Sequence, residues 1–467
     1  MKQRYLSLDF LRGLTIFGMV FSAILPYGVL PGWMYHIQNP PPLHELDMSR
    51  AGIGWVDLVF PVFIFCMGAA IPFAWRGKIE KAGASGCTRS FLKETFVRFL
   101  MLWLFSYLYV FLNFSNNTVN GMPLEGIGPQ LCTILGFALL FPVYMVLKRE
   151  RGRSWIRIGG VLAAGLLITA GHYYFGEVIN VQRRGIIIFL LAFLYLFGAL
   201  LWYFTRDKLY CRVAVFGLIL AFTLASQYAG WPASAYANPD LRWWFNIEYI
   251  YFLLLLLPAT FAGDVLYQKI ASGGDIYGEL RGRTVHLVFP LLLALVVWLC
   301  YAFYMRLYWT NLIVSGSMLL LLWYLIKTGL PQYKVLFATA AYLLVCGLII
   351  EPVGGGIRKV PCTIQYCLAT CAVSILLLMV SDYVCKYIPG SLLVKIFSGA
   401  GKNPLMSYIA FDNLVIPALK LTGLIVLYRA AYPADMPLLG LLRAALAVLF
   451  TMWLVSLFTR RKIFWKA

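Results

Sequence analysis

Residues 55–75 read WVDLVFPVFIFCMGAAIPFAW, an apolar run interrupted by one ionisable side chain, Asp57. At about 1.5 Å of rise per residue the run makes a helix roughly as long as the 30 Å hydrocarbon core of a bilayer is thick. Lipid offers no hydrogen bonds, so a lone segment crossing it must satisfy its own backbone as a helix. Comparable runs recur along the chain. Spans are expected at 9–29, 55–75, 95–114, 128–147, 157–175, 185–204, 212–230, 247–267, 285–304, 310–327, 335–352, 364–385, 403–422 and 437–458. That is about fourteen, and twelve remain possible because losing one hairpin keeps both termini on one side. The expected fold class is all-α, a polytopic transmembrane helix bundle forming a single integral-membrane domain over 1–467.

Composition agrees with that reading. The chain is 61% hydrophobic and 12% charged, with a mean hydropathy of +0.79. A soluble domain has about 45–50% apolar and about 25% charged residues, and no polar block of domain size exists here. The net charge of +20 is not read as nucleic-acid binding. Twenty-nine basic residues fall on one set of alternate loops and nine on the other, the skew of the positive-inside rule, which puts both termini in the cytoplasm. The stretch MKQRYLSLDFLRG enters its apolar run with no small-residue cleavage site and is read as a first span rather than a signal peptide. Ten cysteines lie mostly in apolar segments without CxxC spacing, as reduced, buried thiols.

The longest outer segment, 30–54, carries two of the four histidines, His36 and His44, with Gln38, Asn39, Glu45 and Asp47 close by. Pro40-Pro41-Pro42 is expected to hold the backbone extended. Such a loop can line a water-filled cavity. There a neutral imidazole can take a proton from a nucleophile while a carboxylate fixes its tautomer. Asp57, at the outer end of the second span, is placed for that. The bland alternative is a solvated loop with idle histidines. The spacing H-x7-H-E-x-D matches no common zinc pattern, so no metal is expected. His172 and His286 read as structural.

Other charges break the apolar pattern. Asp9 and Arg12, at the inner mouth of the first span, are spaced to pair on one helix face. Arg183, Arg184, Arg358 and Lys359 lie on the outer side against the charge trend, where they could receive an anionic group or a lipid headgroup. Glu351, Asp264, Asp382 and Asp412 fall near span ends, where water would make them cheap. GGG at 354–356 is no phosphate loop, and no G-x-S-x-G elbow occurs.

The stretches RYLSLDFLRGLTIFGMVF (4–21), GWVDLVFPVFIFCMGAAI (54–71), IRKVPCTIQYCL (357–368), GKNPLMSYIAFDN (401–413) and RRKIFWK (460–466) resemble the heparan-α-glucosaminide N-acetyltransferase family and its bacterial relatives of the DUF5009 type. The resemblance covers about 1–115 and 340–467, with the helices of 116–339 matched only by hydropathy. It implies an acyltransferase in a bacterial inner membrane, with its active-site loop facing the periplasm. Acetyl-CoA would be the cytoplasmic co-substrate and an amino sugar or glycan the acceptor, passed through a His of the first outer loop. Counted from MVF, the family's His falls within one position of His36, and counted back from WVDLVFP the nearer residue is His44. His36 is favoured, with His44 as a second candidate or helper and Asp57 beside them. Asp9, Arg12, Arg76, Lys78 and Arg98 are then candidates for CoA. Gln38, Asn39, Arg183, Arg184, Arg358 and Lys359 are candidates for the acceptor. A homodimer is implied as well. The chain departs from the family in having Ser22-Ala23 where well-matched members carry Asn, and a proline-rich stretch after the His. A reading of another class is a secondary transporter or lipid-linked sugar flippase, with Asp57 and Asp264 coupling protons. A third is an inactive relative that binds without turnover.

Overall fold

The computed structural model describes residues 5–82, 84–116, 118–119, 122–124, 126–146, 152–176, 179–245, 247–274, 277, 280, 282–431 and 436–467. They form an all-α polytopic bundle of an integral membrane protein. Twelve helices among them are long and apolar enough to cross a bilayer, at twelve of the fourteen expected positions. The strand content among the described residues is one short antiparallel pair, Thr118–Val119 with Met122–Pro123. The chain packs as two compact units interleaved along the sequence. One comprises 1–15, 27–96 and 193–394, the other 16–26, 97–192 and 395–467.

The first unit is organised around two helices, Trp55–Ala82 and Ile364–Tyr387. The second of these is buried over most of its length, and Thr370 and Ser374 turn their hydroxyls back to the carbonyls four residues earlier, both at 2.6 Å. That bonding hides polar groups a buried helix cannot leave open. Trp55–Ala82 packs against Leu253–Ala271 so closely that a Cβ on Gly263 would lie 2.3 Å from Ala69 O. Small residues permit this backbone approach where no hydrophobic effect drives helices together.

Two expected spans come out differently. The segment expected at 212–230 is the 17-residue helix Leu209–Ala225. Arg212 reaches Asp264 at 2.8 Å, while Phe222 lies 5.5 Å from Tyr236, which sits beside Cys362 and Cys367. The segment expected at 403–422 is broken into Pro404–Ala410, a π-helical turn Phe411–Val415, and Ile416–Leu421. A π-turn wedges an extra residue into the helical ladder, and the pieces fall short as individual spans.

In the second unit, Asn403 explains why the chain's last residues fold back onto the helices. Its Oδ1 accepts the Trp465 N–H at 2.9 Å and its Nδ2 donates to Ile463 O at 3.0 Å. The Trp465 ring is thereby buried among Phe137, Phe141 and Tyr144.

Candidate active site

The second spanning helix begins at an unusual corner. Gly54 precedes its first residue, and the Asp57 carboxylate reaches back so that Oδ2 accepts the Gly54 N–H at 3.0 Å. That bond satisfies one of the open donors of a helix N-terminus. Oδ2 also accepts Ile37 N–H at 3.4 Å, and Oδ1 lies 2.7 Å from His36 Nδ1. The carboxylate therefore caps a helix and holds an imidazole at once. Facing a carboxylate, Nδ1 carries the ring hydrogen and Nε2 keeps its lone pair. The Asp57 side chain is 2% exposed and the His36 side chain 37%. An imidazole gripped from behind and open in front is the arrangement a general base needs.

A third charge completes the group. Lys359 Nζ lies 3.4 Å from His36 Nδ1. Burial holds its ammonium below the usual lysine range, while the Asp57 charge pulls it back up. Because the Nδ1 hydrogen already points to Asp57, Lys359 acts there as a charge rather than as a donor to the ring. Tyr366 donates its hydroxyl to Asp57 O at 2.7 Å. Next to Lys359, the Cys362 and Cys367 sulfurs are 3.6 Å apart, and burial pushes the Cys362 thiol well above its ordinary value.

The loop that carries His36 is stitched to the loop that carries Lys359. Val360 N–H donates to Gln38 Oε1 at 2.9 Å, Gln38 Nε2 donates back to Val360 O, and Gly52 N–H donates to Ile357 O at 2.7 Å. Gly52 has φ +121°, and a Cβ there would meet Ile37 at 2.5 Å and Phe303 O at 2.9 Å. Only glycine fits this turn.

Several expectations change at this point. The proline run does not stay extended. It turns, with His44 N–H donating to Pro40 O at 2.9 Å. His44 is separate from the Asp57 pair: its Nε2 accepts Gly28 N–H at 3.0 Å, and its ring sits 4.2 Å from Tyr27 and 4.4 Å from Tyr35. An imidazole whose acceptor nitrogen is bonded to backbone serves as a loop staple. Gln38 and Asn39 are staples too, the latter donating to His44 O at 3.1 Å. Arg358 braces its own turn by donating to Gly354 O at 2.6 Å.

The basic candidates for CoA have acidic partners. Arg76 meets Asp264 at 2.6 Å and Asp207 at 3.4 Å, and Lys78 meets Glu94 at 2.5 Å. Arg12 pairs with Asp9 at 3.3 Å and also donates to Cys66 O at 3.2 Å. Asp9 lies in the first turn of the helix Leu6–Ala23, and Cys66 is nine residues beyond Asp57, about 14 Å along the second span. Arg98 is exposed on the helix Ala84–Phe111. Arg183 and Arg184 belong to the second unit, over the rings of Phe111 and Phe189 at 5.8 and 4.0 Å.

Three acids expected at watery span ends are in fact buried: Asp264, Asp382 and Glu351. Asp264 bridges Arg76 and Arg212, and its Oδ2 also accepts the Trp202 indole N–H at 3.1 Å. Asp382 accepts the hydroxyls of Tyr5 and Tyr333. Neither Glu351 carboxyl oxygen makes a hydrogen bond of ordinary geometry among the described residues. Burial pushes its pKa up to about 7, against the pull of Ile357 N–H and Arg306. Asp412 is exposed. Among the described residues no three His, Cys, Asp or Glu side chains gather as a metal site.

A family model described as "Domain of unknown function (DUF5009)" matches residues 4–266. That match takes in His36, Asp57, Arg76 and Asp264 and stops short of Lys359. No curated protein matches the chain. Since the match covers more than half of its length, the chain belongs to the DUF5009 family.

Proposed function

We propose that the protein is a transmembrane acyltransferase, moving an acetyl group from acetyl-CoA on the cytoplasmic face to an amino sugar or glycan on the other, with His36 at the reacting centre. The observation that carries this reading is the His36–Asp57 pair, with Nδ1 held at 2.7 Å and the imidazole part-exposed. The resemblance of both chain ends to the heparan-α-glucosaminide N-acetyltransferase family supplies the reaction class. The charge skew of the loops supplies the orientation, with termini inside and the His36 loop outside.

In direct transfer, the acceptor nitrogen or oxygen bonds to the thioester carbonyl carbon while Nε2 takes the acceptor's proton. The tetrahedral adduct then expels CoA as thiolate, which recovers that proton from the imidazolium. In the carrier route, Nε2 itself bonds to the carbonyl carbon and CoA leaves. The acceptor then attacks the acetyl-imidazole. Both routes need Nε2 unprotonated; in the neutral ring the Nδ1–H···Asp57 bond fixes the tautomer that leaves Nε2 bare.

Along the second span, Asp57 and Arg76 are nineteen residues apart, about 28 Å. A donor held at the Arg76 end would have to pass its thioester most of the way across the bilayer. At that end Arg76 and Lys78 are held by the acids Asp264, Asp207 and Glu94.

The test is to incubate purified protein with radiolabelled acetyl-CoA and a panel of amino-sugar acceptors. Labelled product with the native chain and none with a folded His36→Ala variant is expected. Absence of both transfer and CoA binding would overturn the reading, and solute flux in proteoliposomes without transfer would favour a transporter.

A further inference from the structure

We propose that Lys359 is a positioning residue that keeps His36 unprotonated by balancing the charge of Asp57. This rests on the acyl-transfer reading for its purpose, but not for its test. The argument starts from charge. Asp57 is almost wholly buried, and its carboxylate touches an imidazole that can take up a proton. A buried anion left alone with a titratable base draws a proton onto that base, because the resulting ion pair relieves the uncompensated charge. Nε2 would then hold a proton and could neither deprotonate an acceptor nor attack a thioester.

Lys359 removes that drive. Its ammonium, 3.4 Å from Nδ1, sits on the same side of the ring as Asp57. Carboxylate and ammonium cancel there, so the neutral imidazole completes a group of no net charge. A second proton on the ring would face the lysine charge directly. Two further side-chain groups lie against this cluster. Tyr366 donates its hydroxyl to the Asp57 backbone carbonyl, and the Cys362 and Cys367 thiols lie against each other.

The backbone is built to hold this arrangement. The two-way bonding of Gln38 to Val360 fixes the residue after Lys359 to the second residue after His36. The link joins positions 322 residues apart in the chain. Arg358, next door, points back to Gly354 and leaves Lys359 alone to enter the cluster.

The experiment reads His36 directly. Diethylpyrocarbonate modifies an unprotonated imidazole, and peptide mass spectrometry gives the fraction of His36 modified at each pH. It is applied to the whole protein in detergent, with no acetyl-CoA present. In Lys359→Met and Lys359→Gln, the pH at which His36 becomes half-reactive is expected to rise by about one unit. Lys359→Arg, which keeps the charge, is expected to stay close to the native value. A merely structural role would lower reactivity or stability in all three variants without moving the midpoint.

If either folded neutral variant keeps the native midpoint, the inference is wrong; it is equally wrong if Arg shifts it as far as Met does. Should both neutral variants fail to fold, Asp57→Asn gives the opposite sign. Leaving Lys359 unbalanced, it is expected to lower the His36 midpoint, and an unchanged or raised midpoint there also overturns the inference. A shifted midpoint in a protein that transfers no acetyl group would leave the charge balance standing and the proposed function fallen.

Discussion

Glu351 offers the most direct test of the electrostatics, because its burial makes stability depend on pH in a direction that can be worked out. In the folded chain its carboxyl titrates near 7, against an ordinary 4.5. Below the ordinary value both folded and unfolded chains hold the proton, and Glu351 contributes no difference. Between 4.5 and 7 the unfolded chain releases the proton and the folded chain keeps it, so folding loses stability as pH rises. Above 7 both are ionised and the penalty is complete. At about 1.4 kcal/mol per unit the full shift corresponds to about 3 kcal/mol. Partial access of water to the 351–363 loop reduces this to about 2 kcal/mol.

Glu351→Gln removes the titration. Whatever constant cost the amide carries, the stability gap between variant and native chain should move by about 2 kcal/mol in the variant's favour between pH 5 and pH 8.5. Unfolding in a mixed-micelle SDS titration at several pH values measures that gap. Parallel curves across the range would show that Glu351 is ionised in the fold throughout, and would refute the reasoning.

Other expectations follow from the same contacts. Asp264→Asn should destabilise the fold by about 3 kcal/mol or more, because it leaves the buried Arg212 without its counter-charge. The double variant Asp264→Leu with Arg212→Met should recover most of that loss in the same SDS titration, whereas equal loss in single and double variants would contradict it. Trp465→Ala should cost about 3 kcal/mol through the cavity left beside Phe137 and Phe141. It should also open the chain end to carboxypeptidase; resistance matching the native chain would argue against the docking role. Asp57→Asn should lower acetyl transfer by about a hundredfold or more at pH 7, measured with labelled acetyl-CoA, and near-native transfer would remove Asp57 from the centre.

Hydropathy alone located most of the bundle, because a span's length is set by the bilayer rather than by its neighbours. Boundaries shifted where helices outlast the hydrocarbon. The third span was expected from 95, but its helix begins at Ala84. The charged stretch before 95 read as a loop, although Ser90 and Glu94 bond across one turn of it. Asp57 was legible as a site residue because a carboxylate inside an apolar run is costly unless something holds it.

His36 and His44 were not separable by spacing. What distinguishes them is a bond from Gly28 to one ring and from Asp57 to the other. The proline run misled because its local preference for extension is weaker than the turn closed by His44 and Pro40. Arg76 looked available because its acid lies elsewhere in the sequence, Asp264 being 188 residues away. Tyr366 passed unnoticed for the same reason, reaching Asp57 across 309 residues. Lys359 was noticed as a charge on the unexpected side and as an acceptor candidate, not as a neighbour of His36. Its place behind the imidazole depends on loop stitching that no local pattern records.

The central claim is that the His36–Asp57 pair carries an acetyl group's transfer across the bilayer. Proteoliposomes with acetyl-CoA supplied on one face and an amino-sugar acceptor sealed on the other test it most directly. Acetylated acceptor should accumulate on the acceptor side with the native chain and remain at background with folded His36→Ala. Equal accumulation with both chains would contradict the account.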